Sequence, residues 1–184
     1  MWAAVVLAGG RATRMGGIDK PALVVNGKTL LDHALAAVGH ADEIVVVGPE
    51  RPTAVPVRWT REPVPGSGPV AALAAGLELV TAPVTVLLAA DLPAVTTETV
   101  DRLRAEAPAL LVDAGGRDQW LLGAWPTGRL RAALPERPEN AALRKVLSGL
   151  SPARVPDRDG SARDIDTPGD MPGVVPTDGP AFPE

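Results

Sequence analysis

The chain has 184 residues, a formal net charge of −4, 46% apolar residues, 3% aromatic residues and no cysteine. That length suits one domain with a sizeable core, and the missing cysteines exclude disulfides, thiolate metal sites and a thiol nucleophile. The negative charge argues against nucleic acid or an acidic membrane as partner, and the scarcity of rings argues against a base-stacking surface.

The apolar run Ala3–Leu7 reads as a buried strand. It opens into Ala8-Gly9-Gly10-Arg11-Ala12-Thr13-Arg14-Met15-Gly16-Gly17-Ile18-Asp19-Lys20, a glycine-rich loop with three cations. Thr29 can cap a helix carrying Leu30, Leu31, Ala34, Leu35 and Val38 at helical spacing. Glu43–Val47 is a second strand ending at Gly48-Pro49, and residues 57–60 suit a short third. Pro69 can start a helix through Val70, Leu73, Leu77 and Val80. Val84–Ala89 is the most continuous apolar run and reads as a central strand buried on both faces. A helix over 97–107 follows, then strands over 109–113 and 119–125, and helices over 127–134 and 140–149. Val155 and Ile165 mark two short final strands. The Pro-rich residues 172–184 lack periodicity and are expected to form a disordered tail behind a domain spanning 1–171.

Strands alternating with helices argue for an α/β fold on a mostly parallel sheet, whose ligands gather beyond the carboxyl ends of strands. Three features are expected there: the loop after Leu7, Gly48 after Val47, and Asp91 after Ala89. Glycines let backbone N–H groups approach an anion, and Arg11, Arg14 and Lys20 can neutralise it, so a nucleotide triphosphate is the expected ligand. The loop has neither the G-x-G-x-x-G nor the Walker A pattern. Asp91 can hold a hard cation such as Mg²⁺ beside phosphate oxygens. Asp166 reads either as a second metal ligand or as the N-cap of a turn begun by Thr167 and Pro168. Glu62 and the Pro65-Gly66-Ser67-Gly68-Pro69 segment form a loop before a helix, which is either a linker or a site for an anion or a base edge. His33 and His40 have no partner at ligand spacing. Asp19 reads as a loop cap that orients Lys20. No run reaches the length of a membrane span and no signal peptide is evident, so a cytoplasmic protein is expected.

Taken together, residues 7–20, Gly68-Pro69-Val70-Ala71-Ala72-Leu73, Asp91-Leu92-Pro93 and Asp166-Thr167-Pro168-Gly169-Asp170 resemble the molybdenum cofactor guanylyltransferase family. The resemblance runs in order over residues 2–171. It implies a Rossmann-like, three-layer α/β/α nucleotidyltransferase (GT-A-like) fold with a mostly parallel mixed sheet. It also implies transfer of GMP from GTP to a molybdopterin-type acceptor, with Mg²⁺ and loss of pyrophosphate. Leu7, Ala8, Gly9 and Gly10 would lie along the nucleotide, with Arg11, Gly48 and Gly68 beside it. Lys20 and Arg14 would meet its phosphates, Asp91 would hold the metal and Glu62 would contact the nucleoside. Two departures stand out. The family often carries Asn where this chain has Gly48, and a Pro-Leu pair where it has Gln119-Trp120-Leu121-Leu122. Open alternatives are a cytidylyltransferase or another NTP transferase acting on molybdopterin, a phosphorylated sugar or phospholactate. A non-catalytic nucleotide-binding protein is the alternative of another class. The expected assembly is a monomer or weak homo-oligomer.

Overall fold

The structure is a computed structural model that describes residues 1–9 and 19–163. Its strands are β1 (Ala3–Leu7), β2 (Val24–Val25), β3 (Lys28–Thr29), β4 (Glu43–Val47), β5 (Arg58–Thr60), β6 (Val84–Ala89), β7 (Ala109–Val112), β8 (Asp118–Pro126) and β9 (Ala153–Pro156). Its helices are α1 (Leu30–Ala37), α2 (Pro69–Glu78), α3 (Thr97–Ala105), α4 (Thr127–Ala133) and α5 (Leu143–Ser148), with a 3₁₀ turn at Lys20–Ala22.

Seven strands form one sheet in the order β5-β4-β1-β6-β8-β7-β9. β8 pairs antiparallel with both β6 and β7, while the remaining pairings in this sheet are parallel. This is the mixed, mostly parallel sheet expected from the alternation of elements. Because β4 lies on one side of β1 and β6 on the other, the chain reverses its direction of progress across the sheet at β1. Crevices form at such switch points, since the connections leave on opposite sides.

The period-2 alternation of strand side chains builds two cores. Trp2, Ala4 and Val6 join Val46, Val86 and Leu88 under α1 and α3. Ala3, Val5 and Leu7 join Val45, Val47 and Leu87 under α2, α4 and α5. The result is three layers, α/β/α. Every residue of β1 is buried, which explains why its sequence shows no polar face.

Local rules account for the helices. Thr29 accepts the Asp32 N–H at 3.0 Å and starts α1, and Thr96 accepts the Thr99 N–H at 3.1 Å and starts α3. α5 begins at Leu143, later than the expected 140, because Asn140 takes a positive φ of 56° and breaks the helical path. The β2–β3 hairpin is not among the expected elements. Its two-residue turn, Asn26-Gly27, has both φ positive (50° and 79°), the geometry that Asn-Gly favours. The His33 ring Nε2 donates to the Val25 carbonyl at 2.8 Å and so ties α1 to this hairpin, which gives that histidine a structural task. The expected strand at Ile165 and residues 172–184 lie outside the described residues. Among the described residues no helix is long and apolar enough to cross a membrane.

Candidate active site at the strand ends

The carboxyl ends of β1, β4, β5 and β6 are drawn level by a short ladder. Ala8 N–H donates to Val47 O at 2.9 Å, Ala90 N–H to Leu7 O at 3.0 Å and Gly48 N–H to Thr60 O at 2.9 Å. Beyond them opens a cleft of about 800 Å³. Leu7, Ala8 and Gly9 form part of its floor, Ala89 to Asp91 another part, and Gly48, Glu62 and Gly68 its far side.

Gly48 is dictated by packing. Its φ is +150°, and a Cβ there would fall 2.8 Å from both C and O of Ala8 and 2.9 Å from the Gly9 nitrogen. Those are backbone atoms at the start of the glycine-rich loop and cannot swing aside. The same contact bars the Asn that the resemblance leads one to expect. The close approach of β4 to the end of β1 therefore replaces a side chain at this point of the cleft.

Lys20 Nζ donates to Asp91 Oδ2 at 2.9 Å, joining the residue that closes the loop to the end of β6. Both side chains are mostly covered, with 21% and 28% of their surface exposed. The two groups chosen from sequence, 71 residues apart, thus meet in one cleft. Asp91 could contribute a carboxylate to a divalent cation. Among the described residues no group of three or more His, Cys, Asp or Glu could cage a metal. A single carboxylate with phosphate and water completing the shell is the arrangement that Mg²⁺ accepts.

Glu62 is buried (9% exposed) at the exit of β5, and its Oε1 accepts the Gly66 N–H at 2.9 Å. The carboxylate thereby shapes residues 62–68 into a tight turn. Ser67 Oγ donates to Val64 O within that turn, and Asn140 N–H donates to Ser67 O at 2.6 Å from the linker before α5. Gly68, with φ 94°, is the N-cap of α2, so the turn feeds directly into that helix. The N-terminal end of α2, with Pro69 and Ala72, borders the cleft and directs its partial positive charge there.

On the opposite wall, Leu121 lines the cleft, while Trp120 packs half-buried against the core under α2. The bulky ring therefore does not occupy the cleft wall. Arg51, Arg61 and Pro49 also line the cleft, and no motif singles them out. Their position just past β4 and β5 is the available signal, the same one that selects Gly48. Gly10, Arg11, Arg14 and Asp166 lie outside the described residues.

Fold and cleft together define an α/β protein with a crevice at a sheet switch point, lined by a lysine–carboxylate pair. A family model described as a MobA-like NTP transferase domain matches residues 4–155, and the chain belongs to that family. A molybdenum cofactor guanylyltransferase of Bradyrhizobium sp. (strain ORS 278) is 36% identical over 157 residues, covering 77% of this chain and 74% of the relative. Among solved structures, molybdopterin-guanine dinucleotide biosynthesis protein A from Archaeoglobus fulgidus aligns with a TM-score of 0.68 and 22% identity, covering 92% of this chain and 94% of that one. A 2-C-methyl-D-erythritol 4-phosphate cytidylyltransferase from Thermus thermophilus aligns with a TM-score of 0.67 and 21% identity, covering 91% and 94%. The two structural likenesses establish the shared fold.

Proposed function

We propose that this chain transfers GMP from GTP to a molybdopterin-type acceptor and releases pyrophosphate. The observation that carries the reading is the Lys20–Asp91 pair at 2.9 Å, held where β1 and β6 end in the cleft. Family membership and the relative's guanylyltransferase activity support it.

The chemistry suits these residues. A terminal phosphate oxygen of the acceptor attacks the α-phosphorus of GTP. The P–O bond to the β-phosphate breaks, and pyrophosphate leaves with its electron pair. No covalent enzyme intermediate is required, so catalysis consists of positioning and charge neutralisation. Leu7, Ala8 and Gly9 run beside the nucleotide. Lys20 steadies the phosphates, assisted by Arg14 and Arg11 from the loop sequence. Asp91 would hold Mg²⁺, and Asp166 is a second candidate ligand. When bound, the cation supplies Lewis-acid polarisation of the phosphate oxygens. Glu62 favours guanine because a carboxylate only accepts hydrogen bonds, and guanine's pairing edge presents two adjacent donors, N1–H and the N2 amino group.

A thermal-shift panel of GTP, CTP, ATP and UTP with Mg²⁺ tests the reading. A ligand at a hundredfold excess over its Kd stabilises the native state by about 2.7 kcal/mol. The expected result is a clear shift with GTP. A shift with CTP and none with GTP would overturn the guanylyl assignment while leaving the transferase class intact.

A further inference from the structure

Arg51 emerges from the end of β4 and is nearly covered, with 12% of its side chain exposed. Its Nε donates to Asp19 Oδ2 at 2.7 Å, and its Nη2 donates to Asp19 Oδ1. From the other side of the fork, Nη1 donates to Pro49 O at 2.8 Å and to Ala8 O at 3.3 Å. One planar group thus joins three segments: the end of β1, the exit of β4, and the residue before Lys20. A lysine cannot reproduce this, because only a guanidinium presents a rigid fork to a carboxylate and keeps N–H groups for other acceptors.

Two details separate this arrangement from a ligand-binding arginine. Four of the five N–H groups of the guanidinium are engaged by the protein, so little hydrogen-bonding capacity is left for a phosphate. Its charge is matched by Asp19. Asp19 is equally committed. It occupies the N-cap of the 3₁₀ turn at Lys20–Ala22, where an Asp side chain ordinarily accepts a helix N–H, yet it makes no side-chain cap there. Its carboxylate faces Arg51 instead, and that pairing holds its carboxyl below the usual carboxylate range, chiefly through the hydrogen bond from Arg51.

We infer that Arg51 is a positioning residue for the transfer reaction: through Asp19 it fixes Lys20 at the end of β1, opposite Asp91. The inference rests on the reading of the cleft as a triphosphate site. Arg51 acts as a bolt across the start and the close of the loop, and Lys20 is the group it delivers.

Equilibrium binding tests this in four proteins: wild type, Arg51→Ala, Arg51→Lys and Asp19→Asn. The ligands are inorganic tripolyphosphate, MgGTP and MgATP. All three variants are expected to weaken tripolyphosphate and MgGTP by about tenfold or more, the scale of a displaced charge-assisted contact. The ratio of MgGTP to MgATP affinity should stay unchanged, since residues 62–68 are not touched; a general loosening of the fold would erode that ratio as well. The double variant Asp19→Asn/Arg51→Ala should bind no more weakly than Arg51→Ala alone, because both lesions break one linkage. Asp19 is half exposed, so its substitution keeps the test readable if Arg51→Ala unfolds. Wild-type affinity in Arg51→Lys, with loss only in Arg51→Ala, would overturn the inference and make Arg51 a charge that touches phosphate. Additive losses in the double variant, or unchanged affinity in Asp19→Asn, would also overturn it. A wild-type protein that binds neither tripolyphosphate nor any nucleotide would instead sink the triphosphate reading, and the inference with it.

Discussion

Replacing Asp91 by Asn should tighten binding of metal-free nucleotide, although the residue belongs to the proposed catalytic apparatus. Lys20 donates to Asp91 at 2.9 Å. A triphosphate arriving without metal must draw Lys20 away from that carboxylate and then lie beside an uncompensated negative charge. A charge-assisted hydrogen bond contributes about 1.5–3 kcal/mol net. Because 21% and 28% of the two side chains remain exposed, solvent screening favours the lower end of that range. Asn keeps a weaker acceptor at the same place, so a gain of about tenfold in affinity is the expected size. With Mg²⁺ present the direction reverses. On the proposed reading, the native carboxylate would hold the cation and leave Lys20 to the phosphates, whereas the Asn variant would have no anionic ligand to offer. The metal-dependent enhancement of GTP affinity should therefore shrink from both ends. Isothermal calorimetry with GTP in EDTA, then in excess Mg²⁺, measures all four affinities, and Lys20→Met serves as the control that loses the metal-free term. Metal-free affinity in Asp91→Asn that equals or falls below wild type would refute the idea that cation and nucleotide exchange partners within one ion pair.

Three more outcomes follow from the geometry. Gly48→Ala would place a Cβ 2.8 Å from the Ala8 backbone; a stability loss of about 2 kcal/mol in urea denaturation is expected, together with weaker nucleotide binding. Glu62→Gln retains an acceptor for Gly66 N–H but removes the negative charge, so GTP-over-ATP discrimination in competition assays should fall about tenfold with little change in melting temperature. Acid sensitivity should be traceable to Asp159. Burial raises its carboxyl, but hydrogen bonds from Ser161, Thr96 and Thr99 outweigh that and hold it well below the ordinary 3.8. A depressed native value means that the unfolded chain takes up the proton first. The stabilisation is complete above about pH 5 and is lost as pH drops through and below the unfolded value. Stability curves of Asp159→Asn should be flatter over that acid limb than those of the wild type, and a parallel pair of curves would contradict the assignment.

Periodicity made the sheet strands and main helices legible, because β1, β6 and α1 bury continuous or helically spaced apolar residues. The convergence of Lys20 and Asp91 was legible too, since each follows from the rule about strand ends. What escaped was non-local. Arg51 gains its meaning only from Asp19, 32 residues earlier, and no spacing rule links them. The Asp159 network likewise depends on Thr96 and Thr99, 63 and 60 residues away. The hairpin at Val24–Thr29 was signalled by Asn26-Gly27, but its strands are only two residues each and show no period. That Gly48 must be glycine could be seen only when the backbone of Ala8 lay beside it.

Among the described strands of the large sheet, β8 alone is inverted, and its direction separates two tasks. A parallel strand would bring its last residues to the cleft. This one brings its early residues, with Leu121 at the wall and Leu122 already paired to Leu88 inside the sheet. The first 91 residues therefore supply the whole described cleft apart from that one position. A chimera could exchange the short stretch 118–121 for another sequence without cutting into the halves of any other strand. If the proposed function holds, rewriting the lip of this one strand would alter the cleft wall at Leu121 and leave the positions contributed by the first 91 residues in place.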